Sequence, residues 1–412
     1  MSRGSSIAPL RLPNFRWYYL SISVNLVGST MAPVALAFAV LDVTDSAGAL
    51  GIVLAANTIP MVVFLLVGGV IADRLPRVLI LRVGQVVLAA SQGAAAYLVI
   101  TDRAELWMLV VLQAFNGTVA ALIWPAFVAM MPQLVPRDLL QQANLLQAVS
   151  RGALRIIGPT VAAWLVVGAG GGWALAVDAL TWLLSAGLLL KVALPPREAA
   201  VDRTSTLAEL REGWTVFRTT TWLWVVVLSF SMMNAIAAGA WLTLGPAYSK
   251  QTIGEQGWGY LLSAESVGLL SLTAVMMRRR LERPLLVGMI SIAFVGAPIV
   301  LLGASPHLPT LIVAAFLAGA GIELFNLGWN LAMQENIEER MLSRAYSYDA
   351  LGSLVAMPVG QLVYGSLGAA LGYRDVLVVS GVAYVVIALA TLASPSVRGL
   401  RRAAVEPVRV GG

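Results

Sequence analysis

The stretch GVIADRLPR, residues 69–77, decides how this chain is read. It sets an acid, two arginines and a proline between two long apolar runs, 48–72 and 78–100. So short a connector makes its flanking helices antiparallel neighbours. Its charges are expensive in hydrocarbon, so it marks one face of a membrane. The rest of the chain repeats the pattern: of 412 residues, 59% are hydrophobic and only 12% charged. Soluble domains run to about a quarter charged. Apolar stretches of roughly 20 residues, each able to cross about 30 Å of hydrocarbon as a helix, follow one another along the sequence.

The absence of cysteine excludes disulfides, thiolate chemistry and cysteine metal sites. The single histidine, His307, stands in the break ASPHLP and is expected to face solvent rather than relay protons or bind metal. The net charge of +6 reflects orientation in a membrane and not nucleic-acid binding, as its distribution shows. The opening residues MSRGSSIAPLRLPNFR lack the regions of a signal peptide, so the first apolar run is expected to remain as a span.

Twelve spans are expected, at 17–41, 49–71, 77–100, 105–129, 142–168, 172–193, 221–247, 256–277, 284–304, 308–333, 344–369 and 372–393. With both termini in the cytoplasm, the cytoplasmic connections carry 22 of the 27 Lys and Arg, whereas the other face keeps Arg103, Lys250 and Arg374. That asymmetry sets the orientation. The longest connection, 194–220, has mixed charge and divides a bundle at 1–193 from a second at 221–395, with a cytoplasmic tail at 396–412. Within it, Thr206 with Glu209 fits a capping box, and Leu207, Leu210, Trp214 and Phe217 share one side of a short amphipathic helix.

The halves repeat. Displaced by 202 positions, Gly117 falls on Gly319, Leu140 on Leu342, Ala143 on Ala345 and Gly158 on Gly360. Displaced by about 206, DRLPR meets RRLER. A repeat in a chain of twelve spans points to a transporter that alternates access around a site near the midplane.

Gly69, Asp73, Arg74 and Arg77 follow the GxxxDRxxR pattern between the second and third spans of the major facilitator superfamily, which the chain resembles over residues 12–395. The resemblance implies an all-α membrane fold of two six-helix bundles and a gating role for this turn. It would bring Asp73 near Arg344 to Asp349. The second copy departs from the pattern, with Arg279 in place of the acid, which implies an asymmetric latch. Gly158 and Pro159 are similar to the GP of the GxxxGPxxGG element of family exporters, although Leu154, Ala162 and Ala163 replace its other glycines. Where antiporters of the family carry an arginine in the fourth span, this chain has Gln113. That argues against the usual proton mechanism.

Ionisable residues at membrane depth cost roughly 2.5–3.5 kcal/mol each on insertion scales, so they should face the interior or one another. They are Arg151, Arg155, Asp178, Glu265, Glu323 and Asp349. Arg155 and Asp178 are expected to form an ion pair, with a part in transport as the alternative. Glu265 and Glu323, with Asp178, are the candidates for proton coupling, because burial without a partner favours the protonated acid. The family arrangement implies a cavity drawn from the first, fourth, seventh and tenth spans. Its candidate lining is Asn25, Met31, Gln113, Asn116, Trp124, Met233, Asn234, Trp241, Phe325, Asn326 and Asn330. Aromatic and Met surfaces with a few Asn suit a bulky amphipathic substrate better than a sugar or phosphate, for which clustered polar or basic residues are expected.

Within the superfamily, the opening LRLPNFRWYYL and the fifth span look most like bacterial macrolide-efflux and enterobactin-exporter relatives. The resemblance implies a proton-driven, monomeric exporter of hydrophobic or amphipathic compounds in the bacterial plasma membrane, with no cofactor. A siderophore, another secreted metabolite or a lysophospholipid is the alternative cargo. An enzyme or a non-transporting binding protein fits less well, since no intramembrane nucleophile or metal cluster and no GxxxxGK[ST] loop for ATP is present.

Overall fold

The computed structural model describes residues 8–74, 76–128, 130–136, 139–193, 214–276 and 281–401, apart from the side chains of 65–74, 124–125, 128, 132, 141, 339–340 and 343. Twelve helices in it are long and apolar enough to cross a membrane. They are α1 (Pro13–Thr44), α2 (Ala47–Arg74), α3 (Arg77–Ile100), α4 (Leu106–Val128), α5 (Leu140–Ala169) and α6 (Gly171–Leu189). The second set is α7 (Thr221–Gln251), α8 (Gly254–Met276), α9 (Pro284–Ala304), α10 (Leu308–Asn336), α11 (Glu339–Leu354 with Met357–Leu371) and α12 (Tyr373–Ala393). An even number of crossings puts the two chain ends on one side, called here the terminal side, with the far side opposite.

The repeat predicted from sequence is built into the packing. In the first half α1 packs on α5 and α6, α2 on α4, and α3 on α4 and α6. In the second, α7 packs on α11 and α12, α8 on α10, and α9 on α10 and α12. The same glycines make the tight crossings. A methyl group on Gly117 would stand 2.8 Å from the carbonyl carbon of Asn57, and one on Gly319 would stand 2.6 Å from that of Glu265. Likewise Gly158 meets Thr30, and Gly360 meets the backbone of Ala235. Gly170 and Gly372, also 202 apart, turn the chain at φ 95° and 88°, a conformation open to glycine without a Cβ penalty.

The halves meet along two seams, α2 against α11 and α5 against α8. Near the far side, Gly365 lies on the backbone of Gly48, and Gly51 lies on that of Gln361. Between α5 and α8, the hydroxyls of Thr160 and Ser263 meet at 2.7 Å. Asp42, at the end of α1, pairs with Lys250, at the end of α7. The far side is therefore closed by contacts from both halves.

Two local features were not expected. Residues Ala237–Leu244 of α7 form a π-helical stretch, in which the Thr243 hydroxyl donates to the Ala238 carbonyl five residues earlier. α11 is interrupted at Val355 and Ala356, just before Pro358, whose missing N–H cannot continue the ladder. Of the linker, 194–213 lies outside the described residues. Residues 214–219 are helical, and Trp214 and Phe217 stack on each other and lean on Tyr348 of α11.

Candidate substrate cavity

A cavity of about 390 Å³ lies within the first half. Helical spacing supplies its wall: Gln85, Leu88 and Gln92 on α3, Gln113, Asn116, Ala120, Ile123 and Phe127 on α4, and Gln147, Ser150, Arg151 and Arg155 on α5. Residues three, four and seven apart share a helix face. α1 adds Tyr19, Ile22, Asn25 and Ser29, α2 adds Asn57, and α6 adds Asp178 with Trp182. Seven of these side chains are carboxamides: Asn25, Asn57, Gln85, Gln92, Gln113, Asn116 and Gln147.

The amides are only partly engaged with one another. Asn57 donates to the side-chain oxygen of Gln113 at 3.2 Å, and Asn116 donates to that of Gln92 at 3.2 Å. Left without a protein partner are one donor, Asn25 Nδ2, and three acceptors, Gln85 Oε1, Asn116 Oδ1 and Asp178 Oδ1. Each unpaired buried polar group costs about 1–3 kcal/mol, so this wall is arranged for something other than its own stability.

Asp178 is only 2% exposed and lies against Gly28 of α1, beside Gln92 and Trp182. The expected ion pair with Arg155 does not form: neither Arg155 nor Arg151 comes within 4.0 Å of its carboxylate. Both arginines project from α5 into open space while the acid is held on α6, so cavity separates them. The same arginines line a second cavity of about 300 Å³ between α5 and α8, together with Gln147, Ser266 and Leu269. They thus stand where the halves meet.

The second half places its candidate residues elsewhere. Met233 and Trp241 are buried in the core, Trp241 against Trp258 with ring centroids 4.6 Å apart. Phe325 stacks on Phe230 at 4.2 Å. Asn234 donates to the Ser353 carbonyl at 2.9 Å, and Asn330 accepts from the Tyr346 hydroxyl at 2.9 Å. Asn326 is exposed outside the cavity, and Met31 belongs to the core of the first half. Of the expected lining, Asn25, Gln113 and Asn116 are in the wall. The side chain of Trp124 lies outside the described residues, as do those of Gly69, Asp73 and Arg74 in the α2–α3 turn. Arg77 opens α3.

Neither Glu265 nor Glu323 lines either cavity. Glu323 accepts from the Thr273 hydroxyl at 2.7 Å, across α8 and α10. Glu265 has Trp241 of α7 and Tyr384 of α12 beside it. By the glycine crossings, Glu265 is the repeat counterpart of Asn57. Asp349, near the terminal end of α11, accepts from Trp329 Nε1 at 2.9 Å and from the Ser353 hydroxyl at 3.1 Å. His307 is exposed beside Thr310, as its loop position suggested.

The family model described as Major Facilitator Superfamily matches residues 18–360. The chain belongs to the major facilitator superfamily. It is a secondary transporter rather than an enzyme. Among curated relatives, the uncharacterized MFS-type transporter YvqJ of Bacillus subtilis is 21% identical over 295 residues, 70% of each chain. Macrolide efflux protein A of Streptococcus pyogenes is 24% identical and spans 89% of this chain and 92% of that protein. With its multi-pass architecture, these bacterial relatives put this facilitator in the bacterial plasma membrane. The nucleoside transporter NupG shares the fold with a TM-score of 0.73 at 13% identity, over 92% of this chain and 98% of that one. A bacterial homologue of the human lysosomal transporter Spinster, solved in an inward-facing and unoccupied conformation, gives 0.70 at 15% identity, over 97% and 99%.

Proposed function

We propose that this facilitator exports a small amphipathic metabolite rich in hydrogen-bonding groups, by alternating access, with the first-half cavity as its substrate site. The observation that carries this reading is the wall of seven carboxamides, an acid and two arginines interleaved with Ile22, Leu88, Ile123 and Phe127. This is the clustered polar lining that a general drug pump does not need. The Met and aromatic side chains expected to receive bulky apolar drugs are instead packed into the second-half core. A secreted metabolite, a siderophore or a lysophospholipid therefore suits the site better than an unselective range of drugs. The nucleoside transporter, whose fold it shares, is in keeping with such cargo.

With the termini in the cytoplasm, as the arginine distribution favours, closure of the far side makes this the inward-facing form. Protons are the proposed driving ion, with Glu265, Glu323 and Asp178 as the groups that carry them, and the working unit is a monomer. The test is a comparison of culture-medium metabolites from an efflux-deficient host expressing the wild type or the Gln85→Leu/Asn116→Leu double variant, with and without a protonophore. The reading expects compounds that appear in the medium only with the wild type and vanish with the protonophore. Equal export by the double variant refutes the assigned site, and protonophore-insensitive export refutes the energy source.

A further inference from the structure

The charges in the cavity are unusual because they are opposite, close to the same depth, and unpaired. Asp178 lies against Gly28 of α1, while Gly158, three residues past Arg155 on α5, lies against Thr30 of that same helix. The crossings thus set Arg155 within about a turn of Asp178 in depth, with Arg151 one turn nearer the terminal side. The unsatisfied amide atoms on the other helices of the wall are mixed, with Asn116 Oδ1 and Gln85 Oε1 as acceptors and Asn25 Nδ2 as a donor. On the α5 side, Gln147 stands beside the two guanidinium groups. One side of the cavity carries the negative charge, Asp178, and the other the positive charge, Arg151 and Arg155.

We infer that the substrate is a zwitterion, a molecule with a protonated amine that docks at Asp178 and a carboxylate or phosphate that docks between Arg151 and Arg155. This deepens the proposed function and rests on its assignment of the cavity. The acid and the arginines are not paired with one another across the cavity, whereas a ligand with both charges neutralises each with a charge-assisted hydrogen bond. The apolar side chains Leu88, Ile123 and Phe127 leave room for an uncharged body between the two ends.

The test is binding to purified protein in nanodiscs, read by tryptophan fluorescence, since Trp182 lines the cavity beside Asp178. The probes are phenylalanine and phenylalanyl-alanine, which separate the charges differently, each as the free zwitterion, the N-acetyl anion, the C-terminal amide cation and the doubly capped neutral form. At least one zwitterion is expected to bind about tenfold tighter than its singly capped forms, the scale of one charge-assisted bond. In Asp178→Asn the zwitterion should lose its advantage over the N-acetyl anion. In Arg151→Gln/Arg155→Gln it should lose its advantage over the amide. The doubly capped form is the folding control for every variant. Equal binding of all four forms, or tightest binding of the neutral one, overturns the zwitterion while leaving the cavity as the substrate site. Failure of every form to bind overturns the inference too. The metabolite comparison above then decides independently whether the cavity assignment stands.

Discussion

Gly365→Ala should turn the protein away from the far-side-closed form. Gly365 sits where α11 crosses α2 near the far side, and an added methyl group would lie 2.6 Å from the Gly48 nitrogen and 2.9 Å from the Ala47 carbonyl oxygen. These are backbone atoms, so no side-chain rotation relieves the overlap. Crowding a packed contact by one methyl costs typically about 1–3 kcal/mol. Because the contact joins the two halves, that cost falls on the far-side-closed form and not on one in which the halves part there. A penalty of about 1–3 kcal/mol shifts a two-state population by roughly 5- to 150-fold. The chain contains no cysteine, so Ala120→Cys in the cavity wall gives a single labelling site without further changes. In sealed vesicles, an impermeant maleimide added to the terminal side should label Ala120→Cys more slowly once Gly365→Ala is added, with the population shift as the upper bound on the slowing. An unchanged rate with a lowered thermal midpoint would refute the reasoning and leave Gly365 as ordinary packing.

Asp42→Asn removes the far-side pair, whose side chains are 43% and 32% exposed. Solvent screening limits such a pair to about 0.2–1 kcal/mol, so labelling should slow far less than with Gly365→Ala; an equal effect would show the salt bridge to be the main closure. Gly319→Ala crowds a crossing inside one half and should lower the thermal midpoint without changing the labelling rate, whereas Gly187→Ala, with nothing within 4 Å of the added carbon, should leave the midpoint level or slightly raised. Glu265→Gln or Glu323→Gln should abolish uphill efflux in proteoliposomes under a pH gradient while substrate binding persists; normal uphill transport by both would remove these acids from coupling. Asp73→Asn should slow turnover and spare binding, and a normal turnover number would make the α2–α3 turn a topological anchor only.

The twelve spans and the repeat could be read from sequence because both rest on local quantities, apolar length and glycine spacing. Gly117 with Gly319 and Gly158 with Gly360 were visible as a displacement of 202 and proved to be the crossing points. The cavity was less accessible, because it depends on which faces the bundle turns inward. Choosing lining residues by span number found Asn25, Gln113 and Asn116 but passed over Asn57, Gln85, Gln92 and Gln147. A signal existed in the GQVVLAASQ run of α3, where Gln85 and Gln92 stand seven apart on one face. The Arg155–Asp178 pairing failed because adjacent helices do not imply adjacent side chains. The π-helical stretch of α7 left no mark in the apolar pattern.

The crossing of Gly117 on Asn57, mirrored by Gly319 on Glu265, has a mechanical consequence. Each weld locks a pair of helices, α2 with α4 and α8 with α10, at a point where neither can slide without a backbone clash. The side chains that emerge at the welds, an amide in one half and a carboxyl in the other, are carried as fixed fittings on two levers. A force applied at either fitting would act on a whole lever at once instead of on one helix within it.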